Sequence, residues 1–153
     1  MIARKIDFSD NVTPSSNSSL ALGFLKLSKF FYEKPYEELA IKMLNSIKQY
    51  AIKNPTFHSY WLTTAFNLTY KFFEVGIVGD SFEFERNRII KMFLPNIVLF
   101  GGKNESALQI LENRYVPGKT IIYICENRVC QMPVEELSEA IEQITSEPVN
   151  GKK

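Results

Sequence analysis

The chain has 153 residues, of which 45% are apolar and 23% are charged, and its formal net charge is +1. This length suits one domain, or two small domains sharing an interface, with a sizeable buried core. The scattered, nearly balanced charge is not that of a nucleic-acid-binding protein, and no stretch approaches the roughly 18 apolar residues of a membrane span. We therefore expect neither a nucleic-acid partner nor a membrane partner.

The first half of the chain has the apolar spacing of helices. Pro35 suits the first turn of one helix, and Asn54 with Pro55 suits the start of the next. The predicted helices span about 17–32, 36–53 and 56–73. The first has one apolar stripe, formed by Leu20, Phe24, Leu27 and Phe31 and widened by Leu22, Leu25 and Phe30. Helices this apolar are expected to be covered on more than one side.

Short continuous apolar runs replace this pattern after Phe73. Runs at 75–78, 97–100 and 121–124 are typical of strands buried on both faces of a largely parallel sheet. Asp80 and Asn104 are candidate caps of helices running to about Phe93 and over 105–114. A final amphipathic helix is predicted from Val134, Leu137, Ile141 and Ile144.

The fold class predicted from these patterns is mixed α/β. A three-helix segment over 1–73 packs on a small, largely parallel sheet domain over 74–147, and 148–153 form a disordered tail. The first two strands are expected to be parallel neighbours joined by a right-handed crossover.

Cys125 and Cys130 flank a predicted turn at Asn127-Arg128, so they face each other across a hairpin. Two buried, reduced cysteines, a redox-active or disulfide pair, and a zinc site all remain open, although zinc needs two further ligands. We expect both thiols to be reduced and at least partly buried. Two cysteines without a disulfide framework also agree with a cytoplasmic location.

His58 is the only histidine, and it lies beside Phe57, Tyr60 and Trp61. This aromatic group is either core packing or a platform for stacking a sugar. No motif of a nucleophilic enzyme accompanies the histidine, and we predict no metal site and no cofactor.

Polar side chains concentrate just before the first helix. Asp10, Ser15, Asn17 and Ser18 offer carboxylate, hydroxyl and amide groups that suit a polyhydroxylated ligand. The same residue types cap helices, because their side chains accept hydrogen bonds from free backbone N–H groups. Both interpretations stay open.

Four motifs in order resemble a known family. They are D-x-x-x-P-S-x-N-S at 10–18, VGIVGD at 75–80, LPN at 94–96 and Y-x-C-x-x-x-x-C-Q-x-P at 123–133. The chain thereby resembles the C-terminal part of the YyaL-like, spermatogenesis-associated thioredoxin-domain proteins. One departure is Ser16, which stands where the family pattern usually has glycine.

The resemblance implies a longer protein, with a thioredoxin-like domain followed by a helical toroid similar to that of N-acylglucosamine 2-epimerases. This chain would be the last toroid helices and a small α/β segment. It would help to close a carbohydrate-type pocket through Asp10, Ser15, Asn17 and Ser18, without being catalytic alone. The alternative is a scaffold for a thiol-redox protein, with Cys125 and Cys130 as redox candidates. Expected partners are the upstream toroid and thioredoxin-like domains, a sugar, and a second copy bound through exposed helices.

Overall fold

The computed structural model describes residues 7–104 and 108–145, so the predicted tail lies outside the described residues. The chain divides into two compact units, Met1–Thr69 and Tyr70–Lys153. The first, the helical unit, contains α1 (Ser16–Phe31), α2 (Lys34–Lys53), a 3₁₀ turn (Pro55–His58) and α3 (Ser59–Thr69). The second, the sheet unit, contains β1 (Phe73–Val78), α4 (Phe82–Ile89), β2 (Ile97–Gly102), β3 (Ile121–Glu126), β4 (Val129–Cys130) and α5 (Leu137–Thr145). The predicted mixed α/β class is confirmed.

The three helices of the first unit enclose a core around the buried Trp61. Its other members are Ala21, Ile47 and Ala51, with Met43, Leu44 and Leu62 packed against them. The buried face of α1 consists of Ser18, Ala21, Leu22, Leu25 and Ser28. The predicted stripe of α1 lies outside this face: Leu20 and Phe31 are each 49% exposed, and Leu27 is 37% exposed.

The sheet has the strand order β2-β1-β3-β4. β1 and β2 are parallel neighbours, as predicted, whereas β3 runs antiparallel to β1 and β4 runs antiparallel to β3. The expectation of a largely parallel sheet is therefore wrong in detail. A parallel third strand needs a long crossover, usually a helix. The described part of the predicted helix over 105–114 forms turns, which bring β3 to β1 in the antiparallel direction.

Helices α4 and α5 cover one face of this sheet. The core there contains Phe73, Val75, Ile77, Ile89, Ile122, Ile124, Leu137, Ala140 and Ile144. Alternation along the strands puts Glu74, Gly76, Tyr123 and Cys125 on the opposite face. On that face the Leu111 side chain packs closely against Gly76, since a Cβ at position 76 would lie 3.3 Å from Leu111 Cδ2.

The ends of three predicted helices differ from the structure. The third helix ends at Thr69, because the Phe73 amide donates to Asn96 O at 2.9 Å and so begins β1. The N-cap position of α4 is Ser81 rather than Asp80, and the helix ends at Ile89. Val134 pairs with Ile122 in an isolated bridge instead of joining the last helix.

Three backbone N–H groups of the turn after β1 donate to acceptors within the protein. Gly79 N donates to Gly102 O at 3.1 Å, Phe82 N donates to Gly79 O, and Ser81 N donates to Thr120 Oγ1 at 3.0 Å. Three amides of this turn are therefore engaged in joining β1 to β2, to α4 and to the segment before β3.

Replacing Gly79 by alanine is expected to destabilise the sheet unit by about 3 kcal/mol or more. Gly79 has φ of 137°, and a Cβ there would lie 2.2 Å from Lys119 O. Gly23→Ala is the matched control: nothing lies within 4 Å of its added Cβ, and it is expected to stabilise α1 by about 0.5–1 kcal/mol. Denaturant unfolding measures both, and equal stability of the two variants would contradict the expectation.

Candidate functional site

Asp10 is a buried carboxylate that joins the loop before α1 to the start of α3. Its Oδ1 accepts hydrogen bonds from Ser15 N at 2.9 Å and from Ser18 Oγ at 2.5 Å. Its Oδ2 accepts one from Tyr60 N at 2.8 Å, and its own amide donates to Phe57 O. Ser15 is also the N-cap of α1, where its Oγ accepts from Ser18 N. One side chain thus organises the entrances of two helices.

These contacts also set the ionisation of the group. Burial alone raises the pKa of Asp10, but the hydrogen bonds from Ser18, Ser15, Tyr60 and Trp61 together outweigh it and lower the pKa below the usual 3.8. Asp10 is therefore ionised at neutral pH, and its negative charge is stabilised by fixed donors.

The structure brings three of the four predicted ligand residues together. Asp10, Ser15 and Ser18 form the buried network, whereas the Asn17 amide donates to Asp7 O at 2.7 Å near the surface. The polar atoms of the network bond to one another and to backbone amides, which is the capping geometry. Sugar binding by these four residues stays a prediction.

A cleft of about 490 Å³ lies in the helical unit beside this network. Its lining comprises aromatic Phe8, Tyr50 and Phe57, apolar Ile47, and polar Ser9, Ser46, Asn54 and His58. Trp61 Nε1 donates to Phe8 O at 2.8 Å, so the Asp10 loop supplies one wall of the cleft. The sequence indicated Phe57 and His58; the other lining residues come from the loop before α1 and from α2 with its C-cap Asn54, and they share no motif.

His58 is nearly buried and has a defined orientation. Its Nδ1 lies 2.9 Å from Asn54 O, and a carbonyl oxygen only accepts, so Nδ1 carries the proton. The neutral ring then has its lone pair on Nε2. The imidazole is thus held in one tautomer at the cleft.

Cys125 and Cys130 form a disulfide, so the expectation that both thiols are reduced is wrong. The predicted hairpin is confirmed, and both cysteines are at least partly buried. Asn127 and Arg128 take positive φ angles of 50° and 71°, which place Cys125 directly opposite Cys130. The bond closes a loop of only four intervening residues, so its chain-entropy contribution to stability is about 2 kcal/mol.

Arg114 contacts both sulfur atoms of this disulfide. Its Nη1 lies 3.3 Å from Cys125 Sγ, and its Nη2 lies 2.9 Å from Cys130 Sγ. The guanidinium also lies over the Tyr123 ring, with 4.7 Å from Cζ to the ring centroid. Burial raises the pKa of the Tyr123 hydroxyl, and the Arg114 charge partly opposes that rise. Sequence reasoning missed Arg114, because it placed this residue at the end of a predicted helix over 105–114 and not beside the cysteines.

Other kinds of site are not found in the described part of the chain. Residues 7–104 and 108–145 hold no group of three or more histidine, cysteine or acidic side chains suited to a metal ion. Among the helices described above, none has both the length and the apolar character needed to cross a membrane. No family model, curated protein or solved structure matches this chain.

Asp10→Asn is expected to lower the free energy of unfolding by about 2–3 kcal/mol at pH 7, because charge-assisted hydrogen bonds to two helix starts are weakened. Asp7→Asn is the control: Asp7 is exposed in the same loop, and its backbone oxygen, which accepts from Asn17, is unchanged. Denaturant unfolding that finds equal stabilities for the two variants would rule out the proposed role of Asp10.

The Asp10 contribution has a defined pH dependence. Its folded pKa lies below the unfolded value of 3.8, so the stabilisation is complete above that value and is lost as the pH falls through the folded pKa. The difference between wild type and Asp10→Asn should therefore be constant near neutrality and shrink in acid. A difference that grows in acid would contradict this assignment.

Proposed function

We propose that this chain is a C-terminal part of a larger YyaL-like protein, and that its helical unit forms one wall of a carbohydrate-type pocket. The observation that carries the proposal is the cleft of about 490 Å³, which falls in the range of roughly 300–1,000 Å³ usual for small-molecule sites. The motif resemblance supports the proposed protein class, and the size of the cleft supports a small-molecule ligand.

The chemistry of the cleft suits a sugar. Tyr50 is 66% exposed and Phe57 is 56% exposed, so their rings present apolar faces to a ligand. Ser9, Ser46 and Asn54 add hydroxyl and amide groups at the same cleft. Sugars combine apolar C–H faces with many hydroxyl groups, and this mixture of aromatic and uncharged polar residues complements both. The Asp10 network contributes by fixing the loop that carries Phe8 and Ser9.

The same lining explains why the chain alone is proposed to be non-catalytic. Acid–base chemistry at a sugar carbon needs an acid and a base that converge on one site. His58 and Tyr50 are the titratable side chains among the described lining residues, and no carboxylate accompanies them there. A carboxylate would have to come from elsewhere in the larger protein.

The outward stripe of α1 supports a larger assembly. Leu20, Phe24, Leu27 and Phe31 follow one helix face, and Phe31 and Tyr36 extend it as an aromatic pair with ring centroids 6.4 Å apart. Contiguous exposed apolar surface of this kind marks an interaction face. We propose that upstream toroid helices cover it in the larger protein, and that a second copy covers it in the isolated chain.

A second candidate function is a scaffold for a thioredoxin-like domain of the same protein. The disulfide between Cys125 and Cys130 favours it, because thiol chemistry is then present in this chain as well. A cytoplasmic location is part of both proposals.

Sugar binding gives the direct test. Titration of the chain with N-acetylglucosamine or glucose, followed by protein NMR, should shift the resonances of Phe57 and His58 with weak, millimolar affinity. Phe57→Ala should weaken binding at least several-fold, whereas Phe84→Ala should not, since Phe84 is an exposed aromatic residue on α4. No shifts at the cleft, or epimerisation of a hexose by the isolated chain above a heat-killed control, would overturn the proposal.

The α1 stripe gives a second test. Light scattering of the isolated chain should show concentration-dependent self-association, which Leu20→Gln combined with Phe31→Gln should abolish at little cost in stability, because both residues are half exposed. Phe93→Gln is the control, since Phe93 is 91% exposed in the sheet unit. A strictly monomeric wild type, or loss of association in the control alone, would contradict the role of the stripe.

A further inference from the structure

We propose that Cys125 and Cys130 are a reversible thiol–disulfide exchange site, which accepts two electrons from a dithiol and uses Arg114 to stabilise the thiolate that forms. This site lies in the sheet unit and the proposed sugar pocket lies in the helical unit, so each proposal can be tested independently of the other.

The position of Arg114 suits the reduced pair better than the disulfide. Sulfur in a disulfide is a weak hydrogen-bond acceptor, whereas a thiolate carries a full negative charge. A guanidinium with one nitrogen 3.3 Å from Cys125 Sγ and the other 2.9 Å from Cys130 Sγ therefore gains most when the bond opens. Cations beside cysteine favour the thiolate, which is the reactive form.

Arg114 is held in place by groups other than the sulfur atoms. Its guanidinium lies over the Tyr123 ring, and the Tyr123 hydroxyl donates to Arg114 O at 2.8 Å. The ring contact supports the guanidinium and the hydroxyl bond fixes the Arg114 backbone, so the cation has supports besides the sulfur atoms.

Access differs between the two sulfur atoms. Cys125 is 1% exposed, whereas Cys130 is half-buried and lines a small cleft of about 240 Å³. The other residues of this cleft are Lys71, Glu126, Val129 and Gln131. An incoming thiolate therefore reaches Cys130, and Cys125 is the leaving group.

The exchange has two balanced steps. A thiolate of the external dithiol attacks Cys130 Sγ; a mixed disulfide forms, the bond between the cysteines breaks, and its electron pair leaves on Cys125 Sγ beside Arg114. The second thiolate of the dithiol then attacks the first dithiol sulfur, which is bonded to Cys130 Sγ in the mixed disulfide. A bond forms between the two dithiol sulfurs, and the Cys130 thiolate is released. The two protons of the dithiol end on the cysteines or in solvent, and the dithiol becomes a disulfide.

A purely structural crosslink explains these features less well. The hairpin is already closed by the turn at Asn127 and Arg128 and by the bond from Gln131 N to Ile124 O at 2.8 Å. The cysteines enclose only four residues, and the entropic gain from a crosslink falls as its loop shortens. The hairpin is therefore expected to survive opening of the disulfide.

The test uses the full chain, with dithiothreitol as the dithiol. The folded protein is incubated with set ratios of reduced to oxidised dithiothreitol, trapped with an alkylating reagent and weighed by mass spectrometry. We expect two alkyl groups per chain under reducing ratios, their loss on return to oxidised dithiothreitol, and an unchanged circular dichroism spectrum throughout. Reduction that occurs only after unfolding would overturn the proposal.

The role of Arg114 is tested by substitution. Arg114→Gln should shift the equilibrium with dithiothreitol toward the disulfide by about ten-fold, the size of one charge-assisted hydrogen bond. Arg114→Lys, which keeps the charge, should recover part of this shift. Arg86→Gln is the matched control, because Arg86 is exposed on α4, which covers the other sheet face. An equilibrium unchanged in Arg114→Gln would overturn the assignment to Arg114.

The order of attack is tested with single thiols. Cys130 in the Cys125→Ser variant should be alkylated several-fold faster than Cys125 in the Cys130→Ser variant, because Cys125 is buried. The reverse order of rates would show that the attack begins at Cys125 and would contradict the proposed steps.

Discussion

The helical unit depends on one buried carboxylate. A helix start leaves backbone N–H groups without intrahelical partners, and a buried start must find acceptors elsewhere. Asp10 serves two starts at once, since Oδ1 bonds the Ser15 amide and the Ser18 hydroxyl and Oδ2 bonds the Tyr60 amide. The loop that carries Phe8 is fixed between them. The Asp10 carboxylate, held between the starts of α1 and α3, therefore positions the loop that forms one wall of the cleft.

Periodicity and proline placement predicted the helices, but they did not predict which face of α1 is buried. The helix is apolar on two sides, so hydrophobicity alone could not choose between them. The structure buries the side with Ser18, Ala21 and Ser28, whose small side chains permit close approach. The Ser18 and Ser28 hydroxyls are satisfied within the loop and the helix, by Asp10 and by Leu25 O. Leu22 and Leu25 are buried on this face beside the small residues, whereas Leu20, Leu27 and Phe31 remain on the outward stripe.

In the sheet unit, too, nearby residues predicted the strands and the hairpin, whereas contacts between distant segments were not predicted. Apolar runs predicted β1 and β2 and their parallel pairing, and the turn residues Asn127 and Arg128 predicted the hairpin. The direction of β3 depended on the connection before it, where the predicted helix is replaced by turns over its described part. The disulfide and its contact with Arg114 depended on the same connection, because that segment brings the guanidinium to the sulfur atoms. No pattern within the hairpin itself specifies a cation 11 residues before Cys125.

The position of the cysteines at the end of the sheet explains how a reactive bond is compatible with a stable fold. β4 is two residues long and is the last strand in the order β2-β1-β3-β4. A short edge strand offers few unpaired backbone groups, so it limits aggregation through the edge. The apolar core under α4 and α5 lies on the opposite face of the sheet from Cys125. Opening the disulfide therefore changes a short edge hairpin and leaves that core in place, which is the condition that reversible exchange requires.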